Sequence, residues 1–401
     1  MQISVIIPTY WTSVRQEIRC LKQDAVYDHP TPIEEQGTLS RLLNSLKKTD
    51  MPKKSTIITV ITAVTHRALE KKAEEKVKRI LNSYESDFNV KQFSASTLKK
   101  IETEEKSLSK LLSLYGYSNV RNLGLATAQI LNSDIIVFLD DDVIVNDREY
   151  FRKATEFIGK HIEKQLVGGI AGYYVNKDGN YYLDVDRKAW WRTGWPKEEK
   201  MNLAFKVIES KRRLVETTFA FGGNMVLHRK MFEKIPFDPY ITRGEDMDLL
   251  VNAKMLGFKF LLDTKLKVVH LPGKGKKLWT EMQQDLYRFL YMREKLLSQK
   301  YVKNIRKLAI SNLEPYPGSF LHALTPIRFS ISSSLNSLHS VLKRDYESFR
   351  NFARNLTHIP SAIKFAKKHA LSYFKFQRKW AEIVPKMRGS KELREILANA
   401  V

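Results

Sequence analysis

The chain has 401 residues, 43 % hydrophobic and 28 % charged, the balance of a globular protein with room for roughly two to three domains. Lys and Arg number 68 against 44 Asp and Glu, a formal charge of +24, which excludes an acidic solvating protein and invites an anionic partner. The one cysteine, Cys20, excludes an internal disulfide and any Cys-based zinc or iron–sulfur site, and fits a reducing compartment.

Met1 to Tyr10 has no cationic stretch and no long apolar core, so no signal peptide is expected, and no run of about 18 apolar residues predicts a membrane-crossing helix. Ile3–Ile7 is a β-branched run ended by Pro8, a first buried strand. Residues 12–36 are polar and irregular and read as a long loop. Leu39, Leu42, Leu43 and Leu46 space like a helix face. Thr56–Val64 predicts a second strand and Arg67–Tyr84 an amphipathic helix. Asn122–Leu131 predicts a further helix, and Ile135–Leu139 a strand that stops at three aspartates. Met225–Leu227 and Val268–His270 read as strands, Lys230–Ile235 as a helix. Gly244-Glu245-Asp246 opens a helix that Gly257 stops, and Trp279–Leu297 is helical. Pro315-Tyr316-Pro317-Gly318 and Pro326 mark a linker near 312–327. The alternation predicts an α/β fold with a mostly parallel sheet, whose ligands bind at the carboxyl ends of the strands.

Several motifs bear on chemistry. Asp140, Asp141 and Asp142 repel one another unless a divalent cation or solvent relieves them, and hard Mg²⁺ or Mn²⁺ suits such oxygens. A solvated acidic turn is the plain alternative. Glu245 and Asp246 are favoured at a helix start by its dipole alone. An Asp there is also a candidate general base. His270 closes a strand, as a metal ligand or as an ordinary structural histidine. Gly222 and Gly223 permit close backbone approach to a ligand, or form a simple turn. Trp190, Trp191 and Trp195 are candidates for stacking on a sugar, or for packing under a loop.

Taken in order, these segments resemble the GT-A glycosyltransferases, and family 2 in particular. The residues concerned are Ser4–Tyr10, Arg121-Asn122-Leu123-Gly124, Ile136–Asp142, Phe221–Asn224, Gly244–Leu249 and Gly257. The resemblance spans about residues 3–273 and implies a GT-A catalytic domain over 1–273. Its donor half would cover about 1–145 and its acceptor half about 146–273. It implies that Pro8, Thr9 and Tyr10 lie near the nucleotide, with Arg121, Gly222 and Gly223 on the donor side. Asp140 would contact the donor ribose or sugar, with Asp141 beside it. Asp142 would ligate Mn²⁺ or Mg²⁺, with His270 as second protein ligand. Asp246 would be the base and Glu245 would help hold acceptor or sugar. The donor would be a UDP- or GDP-sugar and the acceptor a glycan, a lipid-linked molecule or a small polar one. Three features depart from the family pattern. The second strand ends Ile61-Thr62-Ala63-Val64 without acidic residues, Asn252 stands where a basic residue is usual, and the 12–36 insertion is long.

Residues 274–401 hold 25 Lys and Arg against 9 Asp and Glu, +16 of the net charge. They read as a basic, mainly helical C-terminal region. Leu335, Leu338, Leu342, Phe349, Phe352 and Leu356 form a helical stripe, and a second begins at Ile363. Such stripes pack as core or meet an anionic membrane face or a lipid-linked acceptor. A cytoplasmic protein is expected, with contact to the membrane face as the open alternative. A nucleotidyltransferase is disfavoured because no Gly-rich, lysine-bearing phosphate loop follows the first strand. A nucleic-acid-binding protein is disfavoured because no zinc finger or aromatic ribonucleoprotein signature accompanies the charge, so no specific nucleic-acid partner is expected.

Overall fold

A computed structural model describes residues 1–19, 21–186, 188–271 and 277–400; Cys20 and the expected domain boundary at 273/274 lie outside the described residues. The chain begins with β1 (Ile3–Thr12), α1 (Gln16–Arg19), β2 (Thr31–Pro32) and α2 (Leu39–Leu46). β3 (Thr56–Val64), α3 (Glu70–Asn82), β4 (Asn89–Phe93), α4 (Ala95–Glu104), α5 (Tyr117–Ile130) and β5 (Ile135–Leu139) continue the alternation. Then come β6 (Val143–Ile144), α6 (Tyr150–Thr155), β7 (His161–Ile162), β8 (Gln165–Val175), α7 (Lys197–Phe205) and β9 (Leu214–Glu216). β10 (Asn224–His228), α8 (Arg229–Phe232), α9 (Glu245–Met255) and β11 (Lys259–His270) complete the sheet region. Helices α10 (Leu278–Ser298), α11 (Thr325–Leu342), α12 (Tyr346–His369), α13 (Ser372–Gly389) and α14 (Lys391–Ala398) follow.

The sheet runs β4-β3-β1-β5-β10-β8-β11-β6. β4, β3, β1 and β5 are parallel, as the alternation predicts. β10 runs against both β5 and β8; β11 is parallel to β8 and antiparallel to β6. This mixture decides where the functional residues go. The carboxyl ends of β1, β3 and β5 share one edge. β10 is reversed, so its first residue, Asn224, pairs with Leu139 at that same edge. The last residue of β11, His270, pairs with Val143.

Alternation sorts the strands into two layers. Ile3, Val5 and Ile7 of β1, with Ile135, Val137 and Leu139 of β5, face a core built with Leu42, Val77 and Tyr150. Ile6, Ile136 and Phe138 face the other core. That second core continues without a break into Leu286, Phe289, Tyr373, Trp380 and Met387 of the C-terminal helices. α5 is sealed between the sheet and this layer, and all but two of its residues are buried.

The structure corrects the sequence reading in four places. β1 does not end at Pro8 but runs to Thr12, with Pro8 opposite Ile61. β5 pairs with β1 only from Ile3 to Ile6, so a missing amide donor at Pro8 breaks no rung on that side. β2, which pairs with β1 at Trp11 and Thr12, stands inside the presumed 12–36 loop. The linker expected near 312–327 is packed, with Leu313, Tyr316, Phe320 and Leu321 buried in the second core. Pro and Gly there turn the backbone sharply; they do not expose it. The stripe named from Leu335 to Leu356 divides: Phe352 is buried, whereas Leu338 and Leu342 face solvent.

Candidate active site

Two cavities adjoin at the carboxyl edge of the sheet. One, of about 330 Å³, is lined by Tyr10, Arg121, Asp140, Asp141, Asp142, Tyr174, Gly222, Glu245, Asp246 and His270, among others. The other, of about 930 Å³, is lined by Thr12, Ser13, His29, Pro30, Thr31, Thr38 and His66, with Asp142 again. Asp142 and His29 belong to both, so the acidic turn stands at their junction.

Arg121 organises the floor of the smaller cavity. It is buried on α5, and its guanidinium donates to Asp140 Oδ1 at 2.8 Å and to Glu245 Oε1 at 3.3 Å. Its Nη1 is buried without a partner, a spare charged donor. Tyr174 donates from its hydroxyl to Asp140 Oδ2 at 2.9 Å and accepts from the Gly223 amide at 2.8 Å. Tyr174 also stacks on His270, centroids 4.5 Å apart. A Cβ on Gly223 would lie 2.3 Å from Asp140 Oδ2. Gly223 therefore makes room for the Asp140 carboxylate, and Gly222 is the one of the two that lines the cavity.

Asp142 meets His270 Nε2 through Oδ2 at 3.2 Å, while its Oδ1 is buried with no partner. Burial pushes the Asp142 carboxyl up, but the hydrogen bond and charge of His270 and the charge of His29 outweigh it and leave it below its ordinary value. Asp141 behaves oppositely. Burial and the charges of Asp142 and Asp140 push it well above the carboxylate range. Among the described residues no group of three or more His, Cys, Asp or Glu gathers to hold a metal. The pair Asp142 and His270, with one orphaned carboxylate oxygen, is a donor set that a divalent cation would fit.

Asp246 and Glu245 open α9. Gly244, the residue before them, has φ +71°, and a Cβ there would meet Arg288 Nη1 at 1.9 Å. Asp246 accepts from the amides of Gly222 at 2.8 Å and Met247 at 2.7 Å. Burial raises its pKa, opposed by these amides and by Arg121 and Arg288. Burial and then the charge of Asp246 push Glu245 up to about 7, against the pull of Arg121.

Sequence reasoning missed the opposite wall. Lys197, Arg243, Arg288 and Tyr316 line the smaller cavity from four separate segments. Lys197 meets Asp285 at 2.8 Å, and Arg243 meets Glu281 at 3.0 Å and Asp28 at 3.2 Å. Arg288 meets Asp285 at 2.9 Å and the Tyr316 hydroxyl at 2.7 Å. Arg243 stands next to the Gly244 signal and Tyr316 lies in the Pro315–Gly318 segment read as a linker; Lys197 and Arg288 lie on helices without motif. Behind this wall Lys295 of α10 is wholly buried, 2.5 Å from Asp248 Oδ1, 2.9 Å from Asp238 Oδ2 and 3.1 Å from Asn252 Oδ1. Asn252 thus accepts from a lysine of a C-terminal helix, at a point that lines neither cavity.

Five expected site residues fall elsewhere. Thr9 is buried and donates to the Ile61 carbonyl while accepting from the Trp11 indole, so it braces the sheet. Pro8 is likewise within β1 and lines neither cavity. Because β1 continues past Pro8, Tyr10 and Thr12 are its cavity-lining residues, with Ser13 just beyond it. Trp195 is buried against Phe320 and Phe329, and Trp191 stacks on His339 with centroids 3.6 Å apart. Trp190 is exposed beside them, and none of the three lines the cleft.

No family model matches the chain, and no curated protein sequence matches it. Among solved structures it is similar to a mannosyltransferase from Pyrobaculum calidifontis, determined in complex with GDP-Man and Mn²⁺. Identity is 13 %, the match covers 92 % of this chain and 87 % of that one, and the TM-score is 0.50. The chain is less similar to S. aureus TarS 1–349, with 14 % identity, 90 % of this chain and 92 % of that one covered, and a TM-score of 0.45. With its sheet order, its acidic turn after β5 and the helix opened by Glu245 and Asp246, the chain has the GT-A glycosyltransferase fold.

Proposed function

We propose that the chain is a divalent-cation-dependent glycosyltransferase that moves a hexosyl group from a nucleoside diphosphate sugar, UDP- or GDP-linked, to an acceptor hydroxyl with inversion. The acceptor is a glycan, a lipid-linked molecule or a small polar compound. One observation carries the reading: Asp142 with His270, and Asp246, face the same cleft, and a larger cavity adjoins it at Asp142. The larger cavity has the place and size for a nucleoside. His66 closes it at the end of β3, its Nε2 buried and unpartnered, where family members carry acidic residues.

When bound, the cation held by Asp142 and His270 supplies positive charge for a leaving diphosphate. Asp246 is held by two amides, which fix its carboxylate against the cleft. There it accepts the proton of the acceptor hydroxyl as that oxygen bonds to the anomeric carbon and the diphosphate oxygen departs with its electron pair. Arg121 and Tyr174 orient Asp140 toward the donor.

The test is calorimetric titration of UDP and of GDP, with and without Mn²⁺, into the wild type and Asp142→Ala. Binding of one nucleotide that needs the metal and is lost in the variant supports the reading and names the donor class. Metal-independent binding, or none of either nucleotide, overturns it.

A further inference from the structure

α11 is turned inside out relative to an ordinary surface helix. The side it lays against the protein is Thr325, Phe329, Ser332, Ser333, Asn336, Ser337 and Ser340, mostly small and polar. Those groups are largely bonded within the helix: Ser337 to the Ser333 carbonyl at 2.9 Å, Ser340 to the Asn336 carbonyl at 2.8 Å. Asn336 also donates to the Trp191 carbonyl at 3.0 Å. The outward side carries Ile327, Ile331, Leu338 and Leu342, each between 49 % and 67 % exposed, with Val341 beside them. Their spacing keeps them on one face. Leu324 and Tyr346 extend the face at its two ends, and exposed Trp190 stands edge-on to His339 of the same helix.

Exposed leucines elsewhere stand singly, whereas here Ile327, Ile331, Leu338, Val341 and Leu342 share one open helix face. Its charge surroundings say what covers it. α11 contains no Asp or Glu, and Lys343 and Arg344 follow it, both exposed. The two carboxylates next in sequence are committed: Asp345 caps α12 through Ser348, and Glu347 pairs with Lys277. The wider region from 274 onward carries +16. An apolar stripe with a basic C-terminal end and an exposed tryptophan nearby is the pattern of a helix lying in the headgroup layer of a bilayer. No helix among the described residues is long and apolar enough to cross a membrane, so the contact is with its surface.

We propose that the outward face of α11, with Trp190 and the Lys343–Arg344 pair, docks the protein on an anionic lipid bilayer. The segment that carries Trp190 continues into α7, whose Lys197 and Met201 line the cleft. Docking through α11 would thus set the cleft wall close to the lipid headgroups. The inference does not depend on sugar transfer, and its test needs no turnover.

The test is flotation of the full chain with vesicles of phosphatidylcholine alone and of phosphatidylcholine with phosphatidylglycerol. It compares wild type, Ile331→Glu/Leu338→Glu and Lys343→Gln/Arg344→Gln, with analytical ultracentrifugation alongside. Wild type is expected to float with the anionic vesicles at low salt and to release as salt rises. The apolar double variant, altered only at solvent-facing positions and so expected to keep its thermal midpoint, should lose binding by about tenfold or more. The basic double variant should lose part of it. Wild type that stays unbound, variants that float as well as wild type, or equal binding to neutral vesicles would each overturn the proposal. So would a wild-type dimer that the apolar double variant splits, since a second copy would then be what covers the face.

Discussion

Asp246 and Glu245 are adjacent carboxyls with different surroundings, and that difference supports the separate roles proposed for them. Asp246 takes two backbone amides, whereas Glu245 is tied to Arg121 and raised to about 7. Asp246→Asn keeps the shape but can accept only one of those two amides, its NH2 group facing the other, and it cannot take up a proton. Transfer is expected to fall by about a hundredfold or more while nucleotide affinity stays as in wild type; steady-state kinetics beside calorimetry read both. Because the pair still holds a proton below about pH 7, the rate of the wild type should rise with pH through that region. Gly223 makes a second residue-scale case. A methyl there has no space beside Asp140, so Gly223→Ala should push that carboxylate off Arg121 and Tyr174. Donor binding is expected to weaken by at least about tenfold and the thermal midpoint to fall, because buried Arg121 loses a partner, as calorimetry and a melt of the same sample would show.

At the scale of elements, what the sequence discloses depends on whether a signal is local. β3 and β5 stand at the residues their β-branched and apolar runs indicate, and the start of α9 is legible because Gly244 and two acids mark it. β4 is not legible: Lys91 and Gln92 interrupt a run of only five residues. The cationic wall of the cleft is not legible either, since Lys197, Arg243 and Arg288 meet only after α7, α9 and α10 have packed. α11 shows a third limit. Its period announces an apolar face, but not whether that face turns inward. α14 is a short helix with an ordinary stripe, and it turns inward: Leu393 and Leu397 are buried against α4, α5 and β4. Just past its end, the Ala400 carbonyl accepts from the Gln92 amide at 2.7 Å, adding a bond at the β4 edge. Leu397→Ala should therefore cost about 2–4 kcal/mol, read from urea midpoints, although the residue lies near the end of the chain.

Across the whole molecule, the C-terminal helices act as part of the catalytic body, and Asp285 is where that can be measured. It sits wholly buried on α10, bonded to Lys197 of α7 and to Arg288. Burial raises its pKa, but Arg288, Lys197 and Arg243 together outweigh burial and bring it down to about 2. A carboxyl depressed in the folded state stabilises the fold above its unfolded value near 4, and that contribution fades as pH falls toward 2. The full shift is worth about 2 kcal/mol, of which about 1 kcal/mol is gone at pH 3. Asp285→Asn removes the titration and leaves three cations short of a counter-charge, so at neutral pH it should lower stability by about 3–5 kcal/mol. Because only the wild type loses the Asp285 contribution in acid, the gap between the two should narrow by about 1 kcal/mol between pH 6.5 and pH 3. Urea unfolding at both pH values measures it. A gap that stays constant would mean that Asp285 titrates alike in the folded and unfolded chains, and that the cleft wall does not depend on its charge to hold the helices in place.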